Sequence, residues 1–353
     1  MTPAAFAIPG DINLPTGGYT YDRRVLGLLS NFGVVARHVR LPAGFPDPSA
    51  RDLAETARIL AAIRAQVVLI DGLAYGALPA ELIVGIKKPI VALVHHPLYL
   101  EAGLTRTRKA VLFTREQAAL ALARRVVVTS EETARTLRAE FAVPAANITV
   151  AEPGTDAAPR AKGSGGEGLA LLSVGAIVPR KAYDILVRAL APLKAHCWHL
   201  TIAGPTDRSR EAMAAVEKAI VAGGLKERVS LVGPVTQRRL AEFYARADAF
   251  VQPSLYEGYG MALCEAMARG LAIVCTTGGA AAATVPDGAA IKVAPGDGPA
   301  LTGALYRLLT GAALRRRLAQ ASWAAGQELP RWPHAARRIA GVIKQAATMG
   351  PLA

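Results

Sequence analysis

The chain has 353 residues, of which 52% are apolar and 19% charged, so it can form two domains with sizeable cores and does not have the composition of a disordered chain. Its longest apolar runs fall well short of the roughly 20 residues that span a membrane, and MTPAAFAIPGDIN lacks the basic start and long apolar stretch of a secretory signal. Three cysteines without metal-ligand spacing indicate small core residues in a reducing cytoplasm, where we expect the protein to reside.

The formal net charge of +14 is concentrated in two segments. Residues 104–125 carry six cations against one glutamate, and residues 311–353 carry seven against one. Two explanations fit this pattern: an arginine-rich composition such as a GC-rich genome gives, or attraction to anionic lipid or phosphorylated substrates. An anionic membrane surface is therefore a candidate partner, whereas nucleic acid is not expected.

Short β-rich runs alternate with helical patterns along most of the chain. The predicted strands of the first half are AAFAI, GVVARHV, QVVLI, PIVALV, RVVVT and NITV, and those of the second half are LALLSVG, WHLTIAG, RVSLVG, AFVQPS and LAIVCTT. Continuous apolar strands joined by helices predict a parallel sheet that is covered on both faces. Because the series occurs twice, we expect an α/β protein with two Rossmann-like, doubly wound domains.

The predicted domain boundary is a segment rich in proline, glycine and small polar residues. PGTDAAPRAKGSGGEG, residues 153–168, lacks apolar periodicity and reads as a linker. The N-terminal domain is therefore placed at residues 1–152 and the C-terminal domain at residues 169–330. Two helical stretches, at about 297–325 and 333–347, follow the last predicted strand.

Glycines and polar side chains follow several of the predicted strands. Ligands of open parallel sheets bind beyond the carboxyl ends of the strands, so these residues are candidates for a common site. They are Gly17, Gly18, His95, His96, Arg180, Lys181, Gly204 and Glu257.

VGAIVPRKAYD predicts an anion site. A strand ends in glycine, turns through proline and presents Arg180 and Lys181 at the start of a helix, an arrangement that suits a diphosphate. No P-loop occurs, which argues against ATP hydrolysis of that type. Because the chain also lacks an Asp-x-Asp sequence, we expect no metal and no cofactor, with the two cations and helix amides neutralising the phosphate charge.

EGYGMALCE predicts a second part of the same site. The helix is expected to begin near Gly260, where glycines let the backbone approach a ligand and the first amides point towards it. Glu265 lies just over a turn into this helix, where it can accept hydrogen bonds from ribose hydroxyls, while Glu257 would face sugar hydroxyls at the other end of the ligand. The predicted donor-binding residues here are Glu257, Gly258, Tyr259, Gly260, Met261, Ala262 and Glu265.

The second half of the chain resembles the retaining GT-B glycosyltransferases of family 4, which share a glutamate–seven–glutamate motif. The segments that carry the resemblance are VGAIVPRK, FYARADAFVQPSLYEGYGMALCEAMARG and TTGG, in the family's order and spacing. PTGGY, VHHP, VVVTSEETARTL and NITVAEPGTD in the first half are similar to the family more loosely. The resemblance covers nearly the whole chain and is most specific from residue 169 to residue 293.

This resemblance implies two domains that face a central cleft, the first for the acceptor and the second for a nucleotide-diphosphate sugar. It also implies that the last helix, within residues 331–353, crosses back to the N-terminal domain. The two basic segments would then join into one surface on the acceptor side, suited to the inner face of the cytoplasmic membrane or to a phosphate-bearing, lipid-linked acceptor.

The resemblance also assigns roles to the residues that match the family's motifs. Arg180 and Lys181 would bind the diphosphate, Glu265 the ribose and Glu257 the donor sugar. Gly17 and Gly18 would lie close to the phosphates, and Gly204 within the donor site. One of His95 and His96 would contact the sugar and support the reacting centre; His95 is favoured because it comes first off the strand. The predicted catalytic residues are His95, Glu257, Arg180 and Lys181.

Two positions depart from the family's pattern. Ala176 stands where an arginine often follows the strand glycine, which shifts phosphate binding towards Arg180 and Lys181. Ala283 stands where a glutamate often follows the glycine pair, which leaves the bracing of that loop in question.

We therefore expect a hexosyltransferase-type enzyme that moves a sugar from a nucleotide-diphosphate sugar to a carbohydrate or lipid-linked acceptor. Retention of anomeric configuration follows from the resemblance alone. The alternatives are a nucleotide-sugar 2-epimerase on the same fold and a non-catalytic nucleotide-sugar-binding subunit. An NAD-linked dehydrogenase is disfavoured, because no G-x-G-x-x-G follows the first strand.

Overall fold

The computed structural model describes residues 1–350 and divides into two compact units. Unit 1 comprises Met1–Gly154 together with the chain from Pro330, and unit 2 comprises Thr155–Leu329. Each unit contains one six-stranded parallel sheet with helices on both faces. The predicted α/β fold with two doubly wound domains is therefore confirmed.

The sheet of unit 1 has the strand order β2-β1-β3-β4-β5-β6, and each neighbouring pair is parallel. Its strands are β1 Thr2–Pro9, β2 Val34–Leu41, β3 Val67–Asp71, β4 Ile90–Val94, β5 Arg125–Val128 and β6 Ile148–Val150. The connecting helices are α1 Gly17–Leu28, α2 Ala50–Ala61, α3 Gly72–Tyr75, α4 Ala80–Val84, α5 Arg106–Ala121 and α6 Glu131–Glu140. β3 and β4 are buried along their whole length, as continuous apolar strands of a parallel sheet should be.

The sheet of unit 2 has the order β12-β11-β10-β7-β8-β9 and is also parallel throughout. Its strands are β7 Leu169–Val174, β8 Trp198–Ala203, β9 Val229–Leu231, β10 Ala249–Gln252, β11 Ala272–Thr276 and β12 Ala290–Val293. Its helices are α7 Tyr183–Leu190, α8 Arg210–Gly223, α9 Gln237–Arg246, α10 Met261–Met267, α11 Ala281–Thr284, α12 Gly298–Thr310 and α13 Ala312–Gln327. The strand order reverses between β7 and β10, so this sheet has its topological switch point there.

The last helix, α14 Trp332–Met349, packs on the sheet of unit 1, as predicted. Gly154 makes this return possible, because a Cβ at that position would lie 2.1 Å from the backbone nitrogen of Trp332. α1 and α14 share one face of the sheet, where the Tyr21 and Trp332 rings meet edge to face at 6.0 Å. α2, α5 and α6 pack on the opposite face, against alternate residues of the strands.

Three sequence expectations differ from the structure. β12 was not predicted, because an edge strand of four residues with a lysine at its third position has little apolar signal. The helical stretch at 297–325 is two helices, which Gly311 separates. The proposed linker, residues 153–168, has no helix or strand, and its backbone bonds to unit 2, with Ala161 N donating to Arg269 O at 2.9 Å.

The two basic segments were expected to join into one surface, and the structure does not show this. α5 carries four of the six cations of the first segment and α14 three of the seven of the second, and these helices cover opposite faces of the unit 1 sheet. Arg315, Arg316 and Arg317 lie on α13 and therefore belong to unit 2. None of the helices in residues 1–350 is both long enough and apolar enough to cross a bilayer.

Candidate active site

The predicted anion-binding residues of unit 2 flank its topological switch point. Arg180 and Lys181 form a short 3₁₀ turn directly after β7, and Glu257 follows β10. β7 and β10 are neighbours in the sheet, so their carboxyl ends bring these three residues together. This is the place where open α/β sheets bind ligands.

The carboxylate of Glu257 is the centre of a hydrogen-bonded cluster. Its Oε1 accepts from Lys181 Nζ at 2.7 Å, and Arg180 NH1 lies 3.5 Å from its Oε2. Ser254 Oγ and Gln252 Nε2 also donate to Oε1, at 2.5 Å and 3.1 Å. The cluster therefore joins two cations, one anion and two polar side chains in one network.

Glu257 is ionised in this network. Burial raises the pKa of its carboxyl, but Lys181 and Arg180 outweigh burial and lower the pKa to about 2. One internal carboxylate thus offsets one of the two positive charges.

Glu257 lies closer to the cations than the sequence indicated, since it was expected at the sugar end of the ligand, away from the diphosphate. The loop Leu255–Glu257 folds back along the turn after β7: Leu255 N donates to Arg180 O at 2.7 Å, and Arg180 NH1 donates to Tyr256 O at 2.7 Å. Oε1 of Glu257 serves the cluster, so Oε2 is the oxygen best placed to accept a hydrogen bond from a ligand hydroxyl.

The glycine pair of TTGG fixes the backbone around Glu257. A Cβ at Gly278 would lie 2.2 Å from Leu255 O, and a Cβ at Gly279 would lie 2.4 Å from Glu257 O. Glu257 N donates to Gly278 O at 3.1 Å, and Ala280 N donates to Glu257 O at 2.8 Å. Only residues without side chains allow this close approach, so the pair holds the loop that carries Glu257.

The loop that lacks the family's usual glutamate at Ala283 has another brace. Lys292 Nζ donates to Ala282 O at 2.7 Å and to Asp287 Oδ1 at 2.6 Å. Thr284 Oγ1 donates to Tyr259 O at 2.7 Å. These bonds tie the loop to both β12 and the segment before α10.

α10 begins at Met261, one residue after the predicted start. Gly260 has a left-handed backbone with φ of 99° and is the N-cap, and as a glycine it has no side chain to cap this end. Leu263 N and Cys264 N bond to Gly260 O, so the amides of Met261 and Ala262 precede the first bonds of the helix. These are the amides that a phosphate would meet.

Two predicted donor-binding residues have packing roles in the structure. The side chain of Tyr259 is buried against Leu263 in the core of unit 2, so only its backbone can reach a ligand. A Cβ at Gly204 would lie 2.2 Å from Gly175 O, so Gly204 allows the ends of β7 and β8 to approach each other. Gly258, by contrast, is partly exposed beside Glu257.

Glu265 lies on α10 beside Tyr244, which the sequence reasoning did not assign a role. Burial raises the pKa of Glu265, and the Tyr244 hydroxyl and Arg269 offset part of that rise. The Arg269 guanidinium also stacks over the Tyr244 ring, 4.5 Å from its centroid. Tyr244 lies in the FYARAD segment that carries the family resemblance, and this resemblance is the sequence feature that could have pointed to Tyr244.

His95 lies at the carboxyl end of the unit 1 sheet, between two buried carboxylates. Its Nε2 is 3.2 Å from Asp22 Oδ1 and 3.3 Å from Asp71 Oδ2. Gly18, in the first turn of α1, lies against the same ring: a Cβ there would be 3.3 Å from His95 Cδ2. Gly17 is the first residue of α1, and Thr16 caps that helix. The structure thus brings Gly17, Gly18 and His95 together at the strand ends of unit 1.

His96 has a different environment, since its Nε2 lies 3.3 Å from Glu101 Oε2 in the loop that follows. Among residues 1–350, Asp22, Asp71 and His95 form the one His/Cys/Asp/Glu cluster with ligand atoms all within 4.8 Å of one another, a spacing that can hold a metal ion. Nε2 of His95 already bonds both carboxylates there. The expectation that no metal is required stays a prediction.

The two parallel sheets, with the cluster of Arg180, Lys181 and Glu257 at a switch point, define a two-domain α/β protein of the GT-B class. Residues 168–311 match the family described as "Glycosyl transferases group 1", and residues 15–158 match "Glycosyltransferase Family 4". The chain belongs to the family 4 glycosyltransferases, which confirms the resemblance seen in its sequence.

Two relatives illustrate this similarity. An "MMP alpha-(1->4)-mannosyltransferase" of Mycolicibacterium hassiacum is 30% identical over 328 residues, which cover 86% of this chain and 76% of that protein. A "D-inositol 3-phosphate glycosyltransferase" of Mycobacteroides abscessus is 33% identical over 151 residues, which cover 42% of this chain and 34% of that protein.

Solved structures agree on the fold. A sucrose-phosphate synthase from Thermosynechococcus elongatus superposes with a TM-score of 0.84 at 22% identity, covering 98% of this chain and 99% of that one. The Anabaena protein HepE in complex with UDP and glucose superposes with a TM-score of 0.75 at 15% identity, covering 96% of this chain and 99% of that one. At these identities the likeness shows the fold alone.

Proposed function

We propose that this chain is a hexosyltransferase that moves a sugar from a nucleotide-diphosphate sugar to an acceptor, with retention of anomeric configuration and without a metal ion. The observation that carries the proposal is the cluster of Arg180, Lys181 and Glu257 at the switch point of unit 2. Two cations at the switch point, together with the amides of α10 that follow Glu257 in the chain, provide what a departing nucleoside diphosphate needs.

In this proposal, different residues of unit 2 bind different parts of the donor. Arg180, Lys181 and the first amides of α10 stabilise the negative charge that develops on the diphosphate as the sugar leaves. Glu265 accepts hydrogen bonds from the ribose hydroxyls. Oε2 of Glu257 accepts one from the donor sugar, while its Oε1 keeps Lys181 in place.

A phosphate-bearing acceptor is the proposed partner. One relative is named a "D-inositol 3-phosphate glycosyltransferase", a name that contains a phosphate-bearing compound. The structure of HepE contains UDP and glucose, which supports a nucleoside diphosphate as the leaving group here as well. Excess positive charge on this chain favours the approach of both anionic substrates.

A nucleotide-sugar 2-epimerase is the less favoured alternative, because the relatives named above are glycosyltransferases. An epimerase changes the donor without an acceptor, and a transferase requires one or hydrolyses the donor slowly. Product analysis with and without acceptor separates the two. A non-catalytic binding subunit would bind the donor and change it in neither case.

The test is a thermal-shift panel of UDP-, GDP-, ADP- and TDP-sugars, followed by transfer assays in EDTA with inositol phosphates and sugar phosphates as acceptors. We expect the nucleotide sugars of one base to raise the melting temperature of the protein. Transfer should persist in EDTA, and NMR of the product should show the anomeric configuration of the donor. Glu257→Gln should slow transfer in the same assays, and Glu242→Gln, at a partly exposed position of α9, is its matched control. No stabilisation by any nucleotide sugar contradicts the proposal.

We also propose that α5 contacts the anionic inner face of the cytoplasmic membrane. Arg108 pairs with Asp47, and Arg124 and Arg125 donate to Gly350 O and Asn147 Oδ1, so these cations support the fold. The exposed cations of α5 are Arg106, Lys109 and Arg115, beside an exposed Val111. Glu116, the acid of this segment, is buried and does not offset them at the surface.

Vesicle flotation with phosphatidylglycerol tests this contact. We expect the doubly substituted chain with Arg106→Glu and Lys109→Glu to lose salt-sensitive binding. Arg316→Glu with Arg317→Glu on α13 is the control of equal charge change. Equal losses in the two chains would show that net charge, and not α5, causes binding.

A further inference from the structure

A buried carboxylate pair at the strand ends of unit 1 stands outside the site residues that the sequence predicted. Asp22 is fully buried and Asp71 is 2% exposed, whereas the side chain of His95 between them is 22% exposed. Asp22 comes from α1, Asp71 ends β3 and His95 follows β4, so three separate elements converge on one imidazole nitrogen.

Further contacts fix the orientation of this imidazole. The Tyr21 ring meets it edge to face at 5.3 Å, and Thr129 Oγ1 donates to the His95 carbonyl at 3.1 Å. Gly18 and the carboxylates cover the Cδ2–Nε2 edge of the ring. Because the side chain is 22% exposed, we infer that its Nδ1–Cε1 edge is the one that faces a ligand.

The charges in this cluster favour a protonated imidazole. The titratable groups packed on His95 are Tyr21 and Asp22 from α1 and Asp71 from β3. Burial lowers the pKa of His95, but the two carboxylates outweigh it and raise the pKa to about 10. Burial and the Asp71 charge raise the pKa of Asp22 to about 7. Oδ2 of Asp22 is buried without a hydrogen-bond partner among the described residues, which adds to the cost of ionising this carboxyl.

We propose that Asp22 and Asp71 are positioning residues, which fix the His95 ring with Nε2 turned inward and the Nδ1–Cε1 edge turned towards the ligand. This inference rests on the proposed transfer reaction. With Nε2–H donating to the carboxylates and a proton on Nδ1 as well, His95 is a donor to a sugar or phosphate oxygen and does not act as a general base.

The first test is NMR of the imidazole nitrogens of the ligand-free chain, assigned with His95→Gln. We expect His95 of the wild type to remain an imidazolium at pH 8. We expect Asp22→Asn and Asp71→Asn each to lower its titration midpoint by about one pH unit or more. Asparagine still caps α3 at position 71, where the Asp71 carboxylate accepts from Leu73 N at 2.9 Å. Asp52→Asn, a carboxylate of α2 away from His95, is the matched control and leaves the midpoint unchanged.

The second test is the kinetics of the same variants. We expect kcat to fall by about 10- to 100-fold with a smaller change in the donor KM, as when an outer carboxylate that orients a histidine is removed. The pH at which kcat changes should shift together with the titration midpoint of His95 in each variant. A loss of packing alone does not produce such a shift.

Three results would overturn the proposal. In the first, His95 of the wild type titrates near its usual pKa. In the second, neither asparagine variant moves its midpoint. In the third, a stoichiometric divalent ion copurifies and is lost in Asp22→Asn, which makes the carboxylates metal ligands. The NMR test requires no substrate, so its result is valid even if the proposed transferase function is wrong. Failure of the positioning role and failure of the transferase function can therefore be told apart.

Discussion

Lys181 Nζ lies 2.7 Å from Glu257 Oε1 across a separation of 76 residues, and this contact offsets one of the two positive charges of the proposed anion site. Without the carboxylate, two cations with 17% and 13% exposed side chains would stand close together. With it, the three side chains carry a net charge of +1 instead of +2. In the proposed reaction, Glu257 therefore tunes how strongly the site holds its leaving group.

Glu257→Gln separates binding from transfer. We expect the affinity for the free nucleoside diphosphate to be unchanged or higher, because the cations lose their internal partner, while kcat falls by at least 10-fold as Lys181 loses its fixed position. Isothermal titration with the diphosphate and single-turnover transfer measure the two effects.

Lys181→Met is the opposite change at the same contact and should weaken diphosphate binding by about 10-fold or more. Glu257→Gln leaves both cations without their carboxylate, so unit 2 should lose about 3 kcal/mol of unfolding free energy, whereas Lys181→Met leaves Glu257 with Arg180 at 3.5 Å and should cost less. If Glu257→Gln weakened diphosphate binding as much as Lys181→Met does, the compensating role of the carboxylate would be wrong.

Most of this network could be read from the sequence, since VGAIVPRK and PSLYEGYG each follow a strong apolar strand. The direct contact of Glu257 with the cations could not, because it depends on which strands are neighbours. The order β10-β7 is a property of the sheet, set by contacts far apart in the chain. Asp71 could have been noticed, since it ends VVLID. Asp22 carries no such signal, because an acidic residue in a helical segment is normally exposed.

Gly278→Ala tests the contact that holds the Glu257 loop. Its Cβ would lie 2.2 Å from a backbone oxygen of Leu255, so the loop must move. We expect a loss of about 1–3 kcal/mol in unfolding free energy and lower transfer activity. Gly303→Ala on α12, with no atom within 4 Å of the added Cβ, is the control and should stabilise by about 0.5–1 kcal/mol. Equal effects of the two substitutions in urea unfolding would contradict the bracing role.

Gly18→Ala tests the packing of α1 on His95. The added methyl would lie 3.3 Å from Cδ2 of the ring, close enough to tilt it without unfolding the helix. We expect transfer to slow by about 10-fold, as a small misplacement of a positioned group does, with little change in melting temperature. Gly27→Ala in the same helix has no neighbour within 4 Å, and it should keep wild-type activity. Full activity in Gly18→Ala would show that the ring orientation does not matter.

Glu116→Gln addresses the pH dependence of unit 1. Glu116 is 1% exposed, its Oε2 accepts from Leu98 N at 2.8 Å, and burial raises the pKa of its carboxyl to about 8. The folded state then binds a proton that the unfolded state, with a pKa near 4.5, releases, so stability falls as pH rises from about 4.5 to about 8.

Glutamine keeps the oxygen acceptor and cannot ionise, so the variant should match the wild type near pH 4.5 and exceed its unfolding free energy by about 5 kcal/mol at pH 9. Trp332 is the one tryptophan of unit 1, so its fluorescence in a Trp198→Phe, Trp323→Phe background reports urea unfolding of that unit. Glu55→Gln on the exposed face of α2 is the control and should leave the pH profile unchanged. A Glu116→Gln profile parallel to that of the wild type from pH 4.5 to 9 would mean that the buried carboxyl is not the group that titrates.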